Sequence, residues 1–258
     1  MYTAFASVYD QLMVDVDYLT WARFYHAMMD CYGIPRGKVC ECACGTGSLT
    51  IPLAQMGYQM TGVDLSPDML FEASQKARKS GAMIPFVKQD MRQLHLHRMM
   101  DAVLCTNDGL NYLKDADELA DFFLAAYNAV HEGGGLFCDL STPYKLEHIL
   151  GDHFIGDETP EIAYLWQNRY SAAHQCVDLN LAIFVRQKDE TYLRIGEQQR
   201  QYAHSIQKLS SLLVDTGFTD VRFFADKKLE APSPNEVRWF VAARKPLTSD
   251  EQPAGGAL

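Results

Sequence analysis

Residues 39–47 read Val-Cys-Glu-Cys-Ala-Cys-Gly-Thr-Gly, and Asp64 stands nineteen positions after Gly45. A short apolar run that ends in small residues predicts a β-strand running into a tight turn that opens a helix. Small residues let a ligand approach the backbone, and a helix N-terminus adds a favourable positive potential. A second strand at residues 58–63 would deliver the Asp64 carboxylate to the same crevice, where it can accept hydrogen bonds from a ribose diol. This stretch therefore predicts a site for an adenosine-containing cofactor.

The identity of that cofactor depends on two details of the turn. A nicotinamide dinucleotide site requires three small positions, G-x-G-x-x-G or A, but the third position here is Thr50. The first strand also carries Glu41 just before the turn. A carboxylate there does not stabilise an anionic pyrophosphate, but it does stabilise a cationic amino-acid group. A sulfonium cofactor with a free methionine ammonium fits these residues better, and an NAD-dependent oxidoreductase remains the alternative.

The later strand ends supply polar groups to the same edge. A predicted third strand at residues 86–88 is followed by Asp90, which can accept a hydrogen bond from the amine of an adenine, while Met91 or Met69 covers the ring. The predicted fourth strand runs into the polar stretch at residues 106–111. Because ligands of parallel sheets bind at the carboxyl ends of the strands, these tips are expected to share one crevice.

A set of motifs along the chain carries a family resemblance. The motifs are residues 40–47, 62–70, 89–91 and 107–112, with further matches at 5–10, 18–21, 139–145 and 216–218. Together they resemble the class I S-adenosylmethionine-dependent methyltransferases over about residues 1–244, in particular a branch of small bacterial members whose substrates are mostly unassigned. Ala43 replaces a glycine of many members. Gln199 stands where related enzymes often have Glu-x-His, which weakens the case for a histidine base on that strand.

The resemblance implies residue roles. Tyr9, Tyr18 and Trp21 would close over the cofactor if the N-terminal helices form a lid, the alternative being an aromatic helix face packed on the core. Asp108 and Asn111 are the catalytic candidates, positioning the methionine end or the methyl acceptor, although Asp108 could instead cap a turn. No metal site is implied. The predicted cofactor-binding residues are Tyr9, Tyr18, Trp21, Glu41, Ala43, Cys44, Gly45, Thr46, Gly47, Asp64, Leu65, Met69, Gln89, Asp90, Met91 and Asn107.

Strand and helix patterns alternate from residue 39 to residue 140, with three glycines at 133–135 expected to stop a helix before the fifth strand. From about residue 144 to residue 202, apolar and polar residues alternate with period two, which is typical of antiparallel strands. With the resemblance, this predicts an α/β fold: a Rossmann-like doubly wound, mostly parallel seven-stranded sheet with an antiparallel C-terminal strand, and an antiparallel β-sheet inserted after the fifth strand. The predicted units are a cofactor-binding domain at 1–143 and 203–247 (with a helical lid at 1–35), an inserted substrate-binding subdomain at 144–202 and a flexible tail at 248–258.

The insertion leaves the main sheet at the edge that carries the ligand loops, so it would roof the cofactor and shape a pocket for the methyl acceptor. Its aromatic rings could line that pocket or simply pack the two sheets together. Three histidines lie close enough in sequence to reach it, although each is more typical of an ordinary surface residue than of a base. The rings are Tyr164, Trp166, Tyr170 and Phe184, and the histidines are His148, His153 and His204.

Composition favours a compact cytoplasmic enzyme. The chain has 258 residues, of which 48% are hydrophobic, enough for a full core. It lacks an apolar run of about 18 residues and an N-terminal secretory pattern. Seven irregularly spaced cysteines are typical of reduced thiols, and Cys40, Cys42 and Cys44 are predicted to be small buried residues rather than metal ligands.

The charge and the motifs together predict a function. A net charge of −10 disfavours a nucleic-acid partner, because such proteins present a basic face. We predict transfer of a methyl group from S-adenosylmethionine to a small-molecule acceptor, catalysed mainly by positioning, in a protein that is a monomer by default and has no membrane partner. The alternatives are an S-adenosylmethionine-binding module without catalysis and, less favoured, the NAD-dependent oxidoreductase.

Overall fold

The computed structural model describes residues 3–247, with side chains from residue 5 onward; the predicted tail at 248–258 lies outside the described residues. The described chain contains six α-helices, eleven β-strands and three short helical segments of other types, the last of them a π-helix at Lys145–Leu150. The helices are α1 (Thr3–Leu12), α2 (Tyr18–Cys31), α3 (Thr50–Gln55), α4 (Pro67–Lys79), α5 (Ala116–Ala129) and α6 (Ile206–Thr216). Among them, none combines the length and the apolar character needed to cross a membrane.

Seven strands form the main sheet, and their order confirms the predicted fold class. The order along the sheet is β10-β11-β5-β4-β1-β2-β3. Strand β11 runs in the direction opposite to the other six strands. These strands are β1 (Lys38–Cys42), β2 (Gln59–Asp64), β3 (Phe86–Lys88), β4 (Met100–Cys105), β5 (Val130–Ser141), β10 (Thr219–Phe224) and β11 (Arg238–Arg244). The strand order reverses between β1 and β4: the chain builds outward from β1 to β3 and then returns to place β4 on the other side of β1. The carboxyl ends of β1 and β4 therefore open onto one crevice.

The inserted sheet follows the fifth strand of the main sheet. It has four antiparallel strands in the order β6-β7-β8-β9. These are β6 (Phe154–Glu158), β7 (Ile162–Ser171), β8 (Cys176–Arg186) and β9 (Tyr192–Tyr202). Helix α1 packs against it through Phe5 and Val8, which join Ile162, Ile183 and Ile195 in one apolar cluster. The N-terminal helix is therefore held between the inserted sheet and the main sheet's helices.

Both faces of the main sheet are covered by helices, as the pattern of buried residues requires. In β4, Val103 and Cys105 belong to the cluster that contains Phe122 of α5, while Ala102 and Leu104 belong to the cluster on the α2 side. Successive residues of a strand point to opposite faces, so a strand buried on both sides is apolar throughout. The predicted burial of Cys40, Cys42 and Cys44 agrees with this arrangement.

The helix that follows β2 begins at Ser66 and Pro67, two residue types that favour a helix start. Ser66 precedes its first turn and accepts a hydrogen bond from Met69 N at 3.2 Å, and Pro67 occupies the first helical position. Proline lacks the N–H group that would be unpaired there, and the Ser66 hydroxyl satisfies one of the others. This start fixes the direction in which the chain leaves Asp64.

The three glycines at residues 133–135 do not stop a helix, contrary to the prediction. Helix α5 ends at Ala129 and β5 begins at once at Val130, so the glycines lie within the strand. The pairing of β5 with β4 shifts register beside them, and Gly133 has a φ of +78° while its N–H donates to Lys245 O at 3.0 Å. Glycine permits this left-handed bulge.

Candidate active site

The turn after β1 contains glycines that serve two different purposes. Gly45 has a φ of +53°, and a Cβ placed on it would meet no atom within 4 Å. Gly47 has a φ of +71°, and a Cβ there would lie 3.1 Å from the Phe86 ring and 3.2 Å from Ala73 Cβ. The space in front of Gly45 is therefore open to a ligand, whereas Gly47 allows the turn to pack closely against α4 and β3.

Asp64 connects the end of β2 to this turn. Its Oδ2 accepts a hydrogen bond from Gly45 N at 2.8 Å, and its Oδ1 accepts one from Ser66 N at 2.9 Å. Burial raises the pKa of this carboxyl group, and the backbone hydrogen bonds oppose that shift. A carboxylate has about four acceptor positions, so capacity remains for a donor from a ligand.

Glu41 lies at the floor of the same crevice. It is buried, and its two oxygens accept hydrogen bonds from Thr106 Oγ1 at 2.6 Å and Thr50 Oγ1 at 2.5 Å. Burial raises its pKa to about 7, although both hydroxyl groups oppose the shift. A nearby cation would favour the ionised form, so this buried acid suits a positively charged ligand group.

A cavity of about 530 Å³, named here the edge cavity, lies where these strands end. Most of the residues predicted to bind the cofactor line it. Trp21 and Gly47 do not: the Trp21 ring packs on Phe240 at 5.8 Å, with the Arg238 guanidinium 4.9 Å from its centre. The predicted residues that line it are Tyr9, Tyr18, Glu41, Ala43, Cys44, Gly45, Thr46, Asp64, Leu65, Met69, Gln89, Asp90, Met91 and Asn107.

A larger groove, of about 690 Å³, lies at the opposite end of the same strands. It is lined near the starts of β1, β2 and β4 by residues such as Lys38, Met60 and Met100. Of the predicted site residues, only Gln89 reaches it. Because parallel sheets bind ligands at their carboxyl edge, the smaller edge cavity is the better candidate site.

The end of the edge cavity near Asp90 contains an ion pair that sequence reasoning missed. Arg92 donates to Asp90 Oδ2 through Nη2 at 2.6 Å and to Glu118 Oε1 through Nη1 at 2.5 Å. The Arg92 guanidinium holds the pKa of the Asp90 carboxyl group below its usual range. Both Arg92 and Glu118 line the cavity, but Glu118 comes from α5, so no local pattern pointed to it.

Helix α1 is fastened to the glycine turn by Asp10. Its Oδ1 accepts a hydrogen bond from Thr46 Oγ1 at 2.6 Å, and its Oδ2 lies 2.6 Å from Lys76 Nζ of α4. The preceding residue, Tyr9, accepts a hydrogen bond from Asn107 Nδ2 at 3.2 Å. Burial, followed by neighbouring carboxylates, raises the pKa of Tyr9 to about 12, so its phenol remains neutral and able to donate.

The two catalytic candidates are held by other parts of the chain. Asp108 is paired with Arg238, and Ser141 Oγ donates to its Oδ1 at 2.8 Å. Asn111 uses its amide to join two strands: Oδ1 accepts from Ser141 N at 2.9 Å, and Nδ2 donates to Ser141 O and Tyr202 O, both at 3.0 Å. Asn111 is buried and does not line the edge cavity, so it lies in the scaffold beneath that cavity.

A second cavity of about 170 Å³, named here the insert cavity, lies between α1 and the inserted sheet. Of the four rings expected there, Tyr164 and Trp166 line it, whereas Tyr170 and Phe184 do not; the three histidines lie outside its lining. Lys145, Gln201 and Asp108 supply polar atoms. Five residues line both cavities and form the junction between them: Phe5, Tyr9, Asn107, Tyr112 and Gln199.

Four features together define a Rossmann-like methyltransferase. They are the strand order, the antiparallel β11, the glycine turn and the acid at the end of β2. Residues 39–134 match the methyltransferase domain family. A protein of Geobacillus sp. (strain WCH70), named as a methyltransferase, is 35% identical over 245 residues, which cover 95% of this chain and 99% of the relative. The chain belongs to the family of S-adenosylmethionine-dependent methyltransferases.

Solved structures agree with this family. The crystal structure of an S-adenosylmethionine-dependent methyltransferase from Clostridium acetobutylicum ATCC 824 has a TM-score of 0.86 at 28% identity, covering 95% of this chain and 99% of that one. CalS10, an amino pentose methyltransferase from Micromonospora echinaspora solved with S-adenosylmethionine bound, shares the fold, with a TM-score of 0.74 at 17% identity and coverage of 92% and 96%. The resemblance found in the sequence is confirmed, and the cofactor is S-adenosylmethionine.

The edge cavity fits this cofactor chemically. Its carboxylates at Glu41 and Asp64 suit an ammonium group and a pair of hydroxyl groups, and the open space in front of Gly45 admits a ligand next to the backbone. Met69 and Met91 add apolar, polarisable surface for an aromatic ring. An extended pyrophosphate would meet the carboxylates of Glu41 and Asp64 at this turn, which agrees with the choice of a sulfonium cofactor over a dinucleotide.

Proposed function

We propose that this methyltransferase acts on a small molecule that binds in the insert cavity, and that it accelerates the reaction mainly by positioning. The observation that carries the proposal is the junction between the two cavities. A cofactor in the edge cavity and an acceptor in the insert cavity would come into contact there. The insert cavity is roofed by the strands of residues 144–202 and by α1, which supports their assignment as acceptor-binding subdomain and lid. The rest of 1–143 and 203–247 supplies the cofactor-binding domain.

Cofactor binding is assigned to the residues that line the edge cavity. Asp64 would hold the ribose hydroxyl groups, Glu41 the ammonium, and Asp90 with Met91 the adenine. Tyr9 and Tyr18 would cover the cofactor from the lid. Four of the predicted residues would support the site without touching the cofactor: Gly47, Trp21, Asp108 and Asn111. They would hold the turn, the lid helix and the loop after β4 in place.

When bound, S-adenosylmethionine supplies an electrophilic methyl group, which leaves the protein to align the acceptor behind it. In oriented systems alignment alone reaches effective molarities of about 10⁵–10⁸ M. The chain provides rigid walls for that purpose, because Tyr164 and Trp166 lie on paired strands and Tyr9 is fixed by Asn107. The neutral Tyr9 hydroxyl at the junction can donate a hydrogen bond but does not act as a base near neutral pH.

A small acceptor is supported by charge and by size. The net charge of −10 and the absence of arginine from the described lining of the insert cavity do not suit a nucleic-acid backbone. The cavity itself holds one small molecule rather than a folded segment. A binding module without catalysis would not require a second cavity that joins the first.

The proposal is tested by methyl-transfer assay with S-adenosylmethionine labelled at the methyl carbon and a fractionated metabolite extract. We expect label in one low-mass compound with wild-type protein, and strongly reduced transfer with the Asp64→Ala variant at the same cofactor concentration. Label found only in protein or nucleic acid, or in no compound at all, would contradict a small-molecule acceptor. Parallel titrations should show binding of S-adenosylhomocysteine and none of NADH.

A further inference from the structure

The insert cavity has an uneven charge distribution. Among its described lining residues, Asp108 and Lys145 are the ones that carry a charge. Both oxygens of Asp108 are occupied by Arg238, at 2.7 Å from Nη1 and 3.1 Å from Nη2. Ser141 Oγ also donates to this carboxylate at 2.8 Å, so three of its about four acceptor positions are used, and the Arg238 guanidinium lies directly against its charge. Asp108 is therefore a weak partner for a cationic ligand.

Lys145, in contrast, retains hydrogen-bonding capacity. Its Nζ donates to Ser141 Oγ at 3.0 Å, and it forms no ion pair with any residue in the described part of the chain. An ammonium group has three donors, so two remain for a ligand. Lys145 is partly buried, and Asp108 interacts with it electrostatically without a direct contact. The ammonium therefore keeps donors for an anion in a region where water screens charge less than in bulk solvent.

The remaining walls set the size and shape of the ligand. Tyr164, Trp166 and Leu181 present apolar surface, and Gln201 adds a neutral amide. The volume of about 170 Å³ is close to that of an engineered apolar cavity of about 150 Å³ that accommodates benzene. The cavity is therefore matched to a molecule with about one ring, with room for a polar substituent.

On the basis of the proposed function, we propose that the methyl acceptor is a one-ring-sized organic acid whose anionic group binds Lys145 Nζ. Lys145 then determines specificity: it favours acids and disfavours ammonium compounds, for which the cavity offers no free carboxylate. The ring lies against Tyr164 and Trp166, and the atom that receives the methyl group points toward the junction at Tyr9. This assignment separates the protein from methyltransferases whose acceptors are protonated amines.

The test compares ligands of equal shape and different charge. Benzoate, benzamide and benzylammonium are titrated calorimetrically into protein saturated with S-adenosylhomocysteine. We expect benzoate to bind roughly 10- to 100-fold more tightly than benzamide, the range of a charge-assisted hydrogen bond, and benzylammonium to bind most weakly. In the Lys145→Met variant the ratio of benzoate to benzamide affinity should fall to about one.

Two further variants separate a loss of recognition from a loss of structure. Lys145→Arg keeps the charge and should keep the preference for benzoate, and Lys227→Met, which removes a lysine that lines neither cavity, should leave it unchanged. Failure of wild-type protein to bind benzoate more tightly than benzamide, or persistence of the preference in Lys145→Met, would overturn the inference. If S-adenosylhomocysteine itself does not bind to wild-type protein, the proposed function fails instead.

Discussion

Arg238 and Asp108, 130 residues apart in the chain, form a buried ion pair in which Nη1 lies 2.7 Å from Oδ1. The same guanidinium also contacts Asp139, whose Oδ1 accepts a hydrogen bond from Tyr25 Oη at 2.6 Å. Burial would raise the pKa of Asp108, but Arg238 and then Lys145 outweigh it and lower the pKa to about 2. One side chain of β11 thus joins the loop after β4 to the end of β5, directly beneath the junction of the two cavities.

Replacement of Arg238 is expected to destabilise the fold strongly. Arg238→Met would leave two buried carboxylates without their cation, and removal of one partner from a buried pair costs about 3–5 kcal/mol in the free energy of unfolding. Urea denaturation at pH 7 measures this change. The double variant Arg238→Met/Asp108→Asn should recover part of the loss, because one uncompensated charge is removed. A single variant as stable as wild type would show that the pair contributes nothing.

Replacement of Asp64 is expected to weaken cofactor binding. Asp64→Ala removes a charged acceptor near the predicted ribose position, and the affinity for S-adenosylhomocysteine should fall by about 1–3 kcal/mol. Isothermal titration measures the effect. Asp68→Ala is the matched control, since this neighbouring carboxylate lies in the first turn of α4 and does not line the edge cavity. Equal affinities for Asp64→Ala and wild type would remove Asp64 from the site.

Binding of the cofactor is expected to depend on pH through Glu41. Its pKa of about 7 means that the carboxyl group is largely protonated at pH 6 and largely ionised at pH 8. Only the ionised form attracts the ammonium group, so affinity should rise with pH and fall by up to about tenfold per unit below pH 7. Titrations with S-adenosylhomocysteine at pH 6, 7 and 8 test this. In Glu41→Gln the dependence should disappear, and a flat wild-type profile would exclude this role.

Stability is expected to depend on pH through His204. This side chain is buried, its Nε2 donates to Leu113 O at 3.0 Å, and burial followed by Lys208 lowers its pKa to about 4. The unfolded chain, with a pKa of about 6.5, then binds the proton more readily than the folded chain, so stability is lost as pH falls from 6.5 toward 4.

The size of this effect can be measured by denaturation at two pH values. Between pH 7 and pH 5, wild-type protein should lose about 1–2 kcal/mol more than His204→Gln, which retains a donor for Leu113 O. His153→Gln, at an exposed position, should behave like wild type. If the His204 variant shows the same pH dependence as wild type, the buried histidine is not its origin.

The predictions that succeeded for the fold rest on signals contained within short segments. The small residues after Cys42, the acid at Asp64 and the start signal at Ser66 each occupy one strand end or helix start, and the structure brings them to one edge. Parallel strands connected by helices place their carboxyl ends at the same edge of the sheet, so residues at the strand ends converge although the strand order differs from the chain order. Glu41 and Asn107 reach the edge cavity for the same reason.

The residues that the sequence analysis missed depend on contacts between distant segments. Arg238 lies on the last strand of the sheet and meets Asp108 only because β11 pairs with β5. Lys145 and Gln201 lie near opposite ends of the insertion, and no spacing rule brings them to the same cavity. Gly133 was misread because a glycine that stops a helix and a glycine that forms a bulge have the same local signature.

Periodicity, turn chemistry and the spacing of strand ends were sufficient to define the class of fold and the crevice for a sulfonium nucleoside, because these properties arise between residues close in the chain. The charge distribution of the insert cavity was not accessible in that way. Asp108 is bound by Arg238 and Ser141 while Lys145 keeps two donors, and this difference arises only when the loop after β4, the end of β5 and β11 are packed together. Burial and long-range pairing set that balance, and neither can be read from a local pattern of residues.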